Sequence, residues 1–274
     1  MNAPVEEIEF LARSDHRVNA LSALAAGPQS RDDLRTITGA SNATVGRLLN
    51  EFDSRTWIKR VDRRYELTLL GELIADGFFN LVERFETERT IRDVWQWIPF
   101  DQMGIGIECL SDATVTQATE NNPLAVMSRV REFERRTTET QCFADYFPEP
   151  CIDTRSATIE AGTQRFEAVF TPSVVTTVMS SKWASQFTEM VASERTEISI
   201  FPGEISYAAG INDGVAYLVV EDDEDNIVGL VETDDERVVG WVKGRFEAFR
   251  RDSTVLTTDA LLSLRKEEYN PRTV

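Results

Sequence analysis

Apolar residues in the first part of the chain recur at three- and four-residue steps, which is the spacing of amphipathic helices. The pattern predicts a short helix before Ser14 and further helices over about 15–26, 30–38 and 42–52. Gly39 follows the third of these stripes and favours a sharp helix end, because glycine readily adopts a left-handed backbone. The N-terminal segment is therefore expected to be a set of four short helices.

Two of these helices begin with recognisable caps. Ser30 and Asp33 have the spacing of a capping box, and Ser41 precedes the apolar stripe of the last helix. A short helix, a glycine turn and a second, polar helix form the layout of a helix-turn-helix. The residues expected to approach a DNA major groove from the second helix are Ser41, Asn42, Thr44 and Arg47. Hydroxyls can donate to phosphates, Asn can pair with adenine and Arg with guanine.

A basic β-hairpin is predicted directly after these helices. Residues 57–61 and 65–68 have the composition of strands, and residues 62–64 between them form a tight turn. The hairpin carries the basic residues Lys59, Arg60, Arg63 and Arg64. Beside a recognition helix such a hairpin is a wing, whose cations are expected to lie against phosphates or in a minor groove. The alternative is a solvated charged hairpin without a ligand.

The N-terminal phrases resemble those of archaeal winged-helix regulators. The similarity covers roughly residues 5–98 and rests on SDHRVNALSAL at 14–24, QSRDDL at 29–34, ASNATVGRLLNEF at 40–52 and WIKRVDRRYELT at 57–68. The resemblance implies a winged helix-turn-helix DNA-binding domain, assigned to residues 1–68, and a following segment through Gly71 that joins the wing to the next helix.

A long helix is expected over residues 69–97 and is assigned as a linking and dimerisation segment spanning 69–98. It is apolar on more than one side, so it should bury against more than its own small domain. The residues predicted to pair two copies are Leu70, Leu73, Ile74, Leu81 and Phe85. A two-fold dimer would present two recognition helices to two DNA half-sites. The alternative is that this helix packs onto the second domain of the same chain.

Residues 99–274 have the pattern of an α/β domain in which strands and helices alternate early and an antiparallel meander follows. The predicted strands are Met103–Leu110, Gln141–Tyr146, Phe166–Thr171, Glu197–Phe201, Ser206–Ile211, Val215–Val220 and Asn226–Glu232. The predicted helices are Pro123–Arg136, Asp153–Gly162, Pro172–Ser193, Glu236–Arg251 and a last one over Thr257–Lys266. The fold class expected for the whole chain is therefore multidomain α+β.

The phrase Phe166–Phe170, the following Thr171-Pro172-Ser173 and the segment EISIFPGEISYAAGINDGVAYLVV resemble the effector domain of archaeal FilR- and TrmB-like regulators. The resemblance spans roughly 105–250 and implies a fold related to phospholipase D that senses a ligand or dimerises. Phospholipase-type catalysis needs a histidine, and the single histidine of the chain is His16, outside this domain. Hydrolase, P-loop and dinucleotide-binding motifs are absent from the sequence, so we expect no enzyme and no cofactor. The acidic run at 221–225 lacks EF-hand spacing, so no metal site is expected.

The charge distribution modifies this picture. The formal net charge is −18, of which residues 1–98 contribute −3 and residues 99–274 contribute −15, whereas residues 41–65 carry +3. Strong acidity with only four lysines favours a salt-rich cytoplasm, where screening reduces self-repulsion. The alternative is an acidic protein of a mesophile. The three cysteines form no metal-binding pair, which favours reduced thiols in a cytosol. Neither a signal peptide nor an 18-residue apolar span is found.

The sequence thus predicts a cytoplasmic, dimeric regulator that binds specific sequences of double-stranded DNA. Its partners would be DNA, a second copy and a small-molecule effector that the sequence does not specify, with no membrane. The alternative is a winged helix that serves as a protein-interaction module without DNA contact. An enzyme with an unrecognised site is the least favoured interpretation.

Overall fold

The computed structural model describes residues 3–224 and 226–261 and divides into two compact units between Glu86 and Thr87. The mixed α/β architecture confirms the predicted fold class, with a helical N-terminal unit and a C-terminal unit built on one large sheet. Among the described residues, no helix has the length and apolar character needed to cross a membrane.

Unit 1 has the element order of a winged helix-turn-helix. Its elements are α1 (Ala3–Ala12), α2 (Asp15–Ala26), β1 (Gln29–Ser30), α3 (Arg31–Thr38), α4 (Asn42–Ser54), β2 (Ile58–Val61), β3 (Arg64–Leu67) and the start of α5 (Leu69–Ile91). The three strands form an antiparallel sheet in the order β1-β3-β2. Strand β1 was not predicted, because two residues are too few to show a strand pattern.

The caps form as predicted. Ser30 Oγ accepts a hydrogen bond from the Asp33 N–H at 3.1 Å, and Asp33 Oδ2 accepts one from the Ser30 N–H at 2.9 Å. Gly39 ends α3 with a left-handed backbone, at φ 65°. Ser41 Oγ accepts from the Thr44 N–H and so caps α4. These contacts fix the angle and the start of the second helix of the helix-turn-helix.

The core of unit 1 fills the space between α2, α3, α4 and the hairpin. Its fully buried side chains include Leu21, Leu34, Val45 and Phe52, and the ring of Phe52 lies 5.7 Å from that of Trp57. His16 Nδ1 donates to the Thr38 carbonyl at 2.9 Å, which gives the single histidine a structural role.

Helix α5 is shorter than predicted. It ends at Ile91 rather than near residue 97, and a 3₁₀ turn over Trp95–Trp97 follows. The apolar spacing continues through Val94 and Ile98, which are buried in the core of unit 2. Periodicity alone cannot separate a continuous helix from a helix followed by tight turns that bury the same residues.

Within its described residues, unit 2 has eight strands in one sheet. Its elements after α5 are α6 (Phe100–Met103), β4 (Thr114–Gln117), α7 (Ala125–Arg136), β5 (Glu139–Ala144), α8 (Glu149–Glu160), β6 (Arg165–Phe170), α9 (Pro172–Met179), α10 (Ala184–Ala192), β7 (Thr196–Ile200), β8 (Ala209–Asn212), β9 (Val215–Glu221), β10 (Ile227–Thr233), α11 (Glu236–Arg251) and β11 (Thr254–Val255). The strand order is β11-β7-β6-β5-β8-β9-β10-β4. Strands β5, β6 and β7 are parallel and the other pairings are antiparallel, as the predicted change from βαβ units to a meander requires.

Alternate residues of the central strands feed two cores on opposite faces of the sheet, since side chains alternate along a strand. Phe143 and Val169 pack with α11, whereas Cys142, Phe166 and Phe170 pack with α8, α9 and α10. Unit 2 is therefore a layered α/β domain.

Three predictions for this unit are wrong or incomplete. The segment 103–110 is not a strand, because Gly104 at φ 63° ends α6 and a 3₁₀ turn follows at Ile107–Leu110. The helix predicted over 172–193 is two helices, broken where Ser181 Oγ accepts from the Trp183 N–H. The two edge strands of the sheet, the polar strand β4 and the two-residue strand β11, were not predicted. The helix predicted at 257–266 extends outside the described residues.

Candidate nucleic-acid interface

The N-terminus of α4 presents the first group of predicted DNA contacts. Ser41 and Asn42 are exposed and Thr44 is half-buried, with the hydroxyls of Ser41 and Thr44 3.0 Å apart. The cap uses one lone pair of Ser41 for the Thr44 N–H, and the hydroxyls remain at the positive end of the helix dipole. This end of the helix therefore offers hydroxyls and an amide side chain to an anionic ligand.

Arg47 lies further along the same helix and is only loosely held. Its side chain is 71% exposed, and its one ion pair among the described residues is a 3.9 Å approach of Nε to Glu51. Glu51 is engaged more tightly by Arg17, whose Nε and Nη2 donate to Oε2 at 3.1 and 3.0 Å. Because Glu51 is already neutralised by Arg17, Arg47 can leave it for another acceptor at small cost.

The hairpin of β2 and β3 presents the second group. Its turn residues Asp62 and Arg63 are exposed, and no ion pair or hydrogen bond holds the Arg63 side chain within the described part of the chain. Arg60 Nε donates to the Asp62 carbonyl, and Arg64 Nη1 donates to the Pro28 carbonyl at 3.2 Å. Neither bond neutralises a charge, so both guanidinium groups keep their positive charge available.

Lys59 differs from the other cations of the hairpin. Its Nζ lies 2.9 Å from Glu66 on the paired strand, where the two residues are directly opposite. An exposed pair of this kind contributes little stability but does cancel charge. Of the predicted wing residues, Lys59 thus has the weakest case as a DNA contact, and Arg63 at the tip has the strongest.

The structure adds one cation that the sequence analysis did not select. Arg31 is exposed, and its Nη2 donates to the Asn42 carbonyl at 2.8 Å, at the start of α4. The guanidinium also lies against Gly46, where an added Cβ would be 2.5 Å from Nη2. In the sequence, Gly46 was the available indication, because a glycine within a helix often marks a place where another group packs closely.

The structure also removes one cation from the basic segment. Arg55 lies over the ring of Phe10 at 3.8 Å and pairs with Glu7 at 2.6 Å, while Arg17 covers the same ring at 3.9 Å. Phe10 is thus enclosed between two guanidinium groups that hold α1 against α2 and α4. The +3 charge of residues 41–65 therefore includes one cation with a structural role.

The carboxylate of Asp33, which caps α3, stays ionised. Hydrogen bonds to the side chain and backbone of Ser30, with a smaller contribution from the charge of Arg64, lower the pKa of Asp33. At any pH near neutrality the ionised carboxylate therefore accepts the hydrogen bond from the Ser30 N–H that caps α3.

The predicted dimerisation residues lie on α5 and differ in exposure. Leu70, Leu73 and Phe85 are exposed by 55%, 68% and 62%, whereas Ile74 and Leu81 are half-buried. An apolar groove between α1 and α5 includes Leu73, Ile74 and Leu81. Val5 and Ile8 of α1 are exposed too and were not predicted, because the sequence does not show that α1 borders α5.

Comparisons with known proteins give two family matches. Residues 5–90 match the model of the HVO_A0261 N-terminal domain. Residues 123–252 match the model of the middle domain of the methanogenesis regulatory protein FilR1. No curated protein matches the chain.

Solved structures with a similar arrangement are distant in sequence. TrmBL2, described as an archaeal chromatin protein with a novel mode of DNA binding, is 15% identical and superposes with a TM-score of 0.42, over 87% of this chain and 92% of that one. Nuc from Salmonella typhimurium, a phospholipase D family member, is 8% identical with a TM-score of 0.42, over 53% of this chain and 97% of that one. NucT from Helicobacter pylori is 10% identical with the same score, over 53% and 98%.

The two family matches fall on the two units and confirm both resemblances seen in the sequence. The chain is thus similar over residues 5–90 to the HVO_A0261 N-terminal domain and over residues 123–252 to the middle domain of FilR1.

Proposed function

We propose that this protein is a transcriptional regulator that binds specific sequences of double-stranded DNA through unit 1. The observation that carries the proposal is the pairing of a capped polar helix, α4, with a hairpin whose tip cation Arg63 has no partner among the described residues. Arg47 and Asn42 would contact base edges in the major groove. Ser41, Thr44, Arg60, Arg63 and Arg64 would contact phosphates, with Lys59 released from Glu66 if it takes part.

The acidity of the chain supports this assignment. Residues 99–274 carry a net charge of −15, so phosphates would be repelled from most of the protein and attracted only where cations cluster. A winged helix that served only to bind another protein would not need an arginine at the tip of the hairpin, Arg63, that has no partner among the described residues.

The active form would be a two-fold dimer formed through α1 and α5. The exposed apolar residues Leu70, Leu73 and Phe85 form a surface that water solvates poorly. Pairing these surfaces would bury them and place two copies of α4 at half-sites about one helical turn, roughly 34 Å, apart. Unit 2 would sense an effector or add to dimerisation, without catalysis, and the protein would act in a salt-rich cytoplasm.

Selection from a random pool of duplex DNA tests this function. The full-length protein, at several KCl concentrations, should enrich a motif with two-fold symmetry after repeated rounds. A gel shift with the enriched duplex and a scrambled duplex of the same composition serves as the control. Equal binding to both duplexes, or no enrichment at any salt concentration, would refute sequence-specific DNA binding and leave the protein-interaction alternative.

A further inference from the structure

Arg31 connects the two elements that carry the predicted DNA contacts. It is the first residue of α3 and follows Ser30, which pairs with Arg64 on strand β3 of the hairpin. From there its side chain extends to the start of α4, where Nη2 donates to the Asn42 carbonyl at 2.8 Å. In helix-turn-helix complexes the first helix crosses the DNA backbone while the second lies in the major groove. A cation on α3 that lies against α4 is therefore expected near phosphates.

The guanidinium of Arg31 is held in place without being neutralised. The residue is exposed and forms no ion pair with the described part of the chain. The carboxylates that follow it have other partners, since Asp32 lies 3.8 Å from Arg35 and Asp33 accepts a hydrogen bond from the Ser30 N–H. The bond to the neutral Asn42 carbonyl uses one of the five N–H groups of a guanidinium. The other N–H groups can donate to a phosphate.

Helix α4 does not need this bond for its own hydrogen bonding. In an α-helix the carbonyl of residue 42 accepts a hydrogen bond from the N–H of residue 46, so it has a partner without Arg31. Position 46 is a glycine, which costs a helix interior about 1 kcal/mol relative to alanine. A Cβ at Gly46 would lie 2.5 Å from Nη2 and 3.4 Å from Cζ of Arg31. Leaving aside the adjacent residues and the helix backbone, it would meet nothing else within 4 Å of the described chain. The space that this glycine leaves is therefore occupied by the guanidinium alone.

We propose that Arg31 binds a DNA phosphate beside α4 and that Gly46 keeps open the space in which its guanidinium is positioned. The inference rests on the proposed function, because it adds a contact to the same DNA-binding surface. It assigns to α3 a phosphate contact between those proposed for α4 and for the hairpin. Phosphates are the same in every sequence, so Arg31 would contribute affinity without sequence preference.

Fluorescence anisotropy of the full-length Arg31→Ala variant tests the proposal. The duplex enriched by selection and the scrambled duplex are titrated at several KCl concentrations. Affinity for both should fall by about tenfold at low salt, since a hydrogen bond to a charged group contributes on this scale. The plot of log K against log salt should become less steep by about 1, as expected for one lost phosphate contact. Arg136→Ala changes the net charge equally but removes an exposed cation of unit 2, and it should change neither quantity.

Gly46→Ala separates a role in DNA binding from a role in folding. The added methyl group should displace the guanidinium of Arg31, which is the flexible end of a long side chain, and leave the backbone in place. The midpoint of urea unfolding should therefore stay the same or rise, because alanine favours a helix more than glycine does. Affinity for both duplexes should nevertheless fall by about threefold, the cost of fixing a side chain that is no longer held in position.

The double variant shows whether the two effects are linked. Adding Gly46→Ala to Arg31→Ala should weaken binding no further, because the guanidinium that the methyl group displaces is already absent. Additive losses would overturn the assignment, and so would an unchanged salt dependence in Arg31→Ala. If Arg31→Ala does not fold, an unchanged affinity of Gly46→Ala overturns the assignment alone. All of these outcomes leave the proposed function intact, whereas a natural protein that binds neither duplex would refute that function, and this inference with it.

Discussion

Individual residues show where sequence reasoning about unit 1 was sufficient and where it was not. The caps of Ser30 and Ser41 were predictable because both ends of each contact lie within three residues along the chain. The contact of Arg31 with the Asn42 carbonyl and the pairing of Arg55 with Glu7 were not, since these partners are 11 and 48 positions apart. A count of basic residues therefore overestimates how many cations can face DNA.

Gly71 gives a prediction at the scale of a single atom. It is buried at the start of α5, and a Cβ at this position would overlap the backbone carbonyl of Trp57. That carbonyl also accepts a hydrogen bond from the Thr68 N–H at 2.9 Å and cannot move freely. We expect Gly71→Ala to lower the free energy of unfolding of unit 1 by about 1–3 kcal/mol, the cost of overpacking a tight site. Urea unfolding with hydrogen-exchange mass spectrometry on peptides of unit 1 measures this.

Gly77→Ala is the matched control for that experiment. Gly77 lies on the same helix, and nothing within 4 Å would meet an added Cβ. Here the substitution should raise stability by about 0.5–1 kcal/mol, because alanine favours the helix more than glycine does. If both variants lose stability equally at the same protein concentration, close packing of α5 on Trp57 is not the cause.

At the scale of elements, the reliable predictions were those with strong local signals. Helix α4 and the hairpin β2–β3 lie where the capped stripe and the turn at Asp62 place them. The predicted strand at 103–110 failed because Gly104 adopts a left-handed backbone there, and nothing local separates that from a bulge in a strand. Strand β1 is defined only by its pairing with β3, which no local pattern contains.

Removing cations from the hairpin β2–β3 and from helix α4 should change DNA binding in different ways. Arg63→Ala with Arg64→Ala should weaken binding to the selected and the scrambled duplex by similar factors, because phosphates are the same in both. It should also make the plot of log K against log salt less steep by about 2, since two phosphate contacts are lost. Fluorescence anisotropy at several KCl concentrations gives both quantities.

Arg47→Ala should instead reduce the preference for the selected duplex. The free energy of discrimination at one base position should fall by about 1–3 kcal/mol. Arg136→Ala is the control, because Arg136 is an exposed cation of unit 2 that pairs with Glu132 at 2.8 Å. It should change neither quantity. A loss of preference in the wing variant as large as in Arg47→Ala would mean that the two elements have been assigned the wrong roles.

At the scale of the whole molecule, the oligomeric state tests the role of α5. Leu73 lies in the groove between α1 and α5 and is 68% exposed. Leu124, in unit 2, is also 68% exposed and serves as a matched control. The natural protein and Leu124→Glu should sediment at twice the chain mass of 31.0 kDa, and Leu73→Glu at the chain mass, because a buried carboxylate without a partner is costly. A dimer in all three would place the interface elsewhere.

The net charge of −18 connects the proposed environment with the proposed mechanism. Phosphate contacts lose affinity as salt rises, because the advantage of releasing counterions from DNA declines. In molar salt, where the Debye length is about 3 Å, charges act only at direct contact. A regulator adapted to such conditions must rely on base contacts by Arg47 and Asn42 and on two linked half-sites.

We therefore expect binding to the scrambled duplex to disappear between 0.1 and 1 M KCl, while the selected duplex is still bound at 1 M or above. Anisotropy titrations of both duplexes over this range measure the ratio of the two affinities, which should rise with salt. If the selected duplex is released at the same salt concentration as the scrambled one, attraction to the backbone dominates, and the acidity of unit 2 has another explanation.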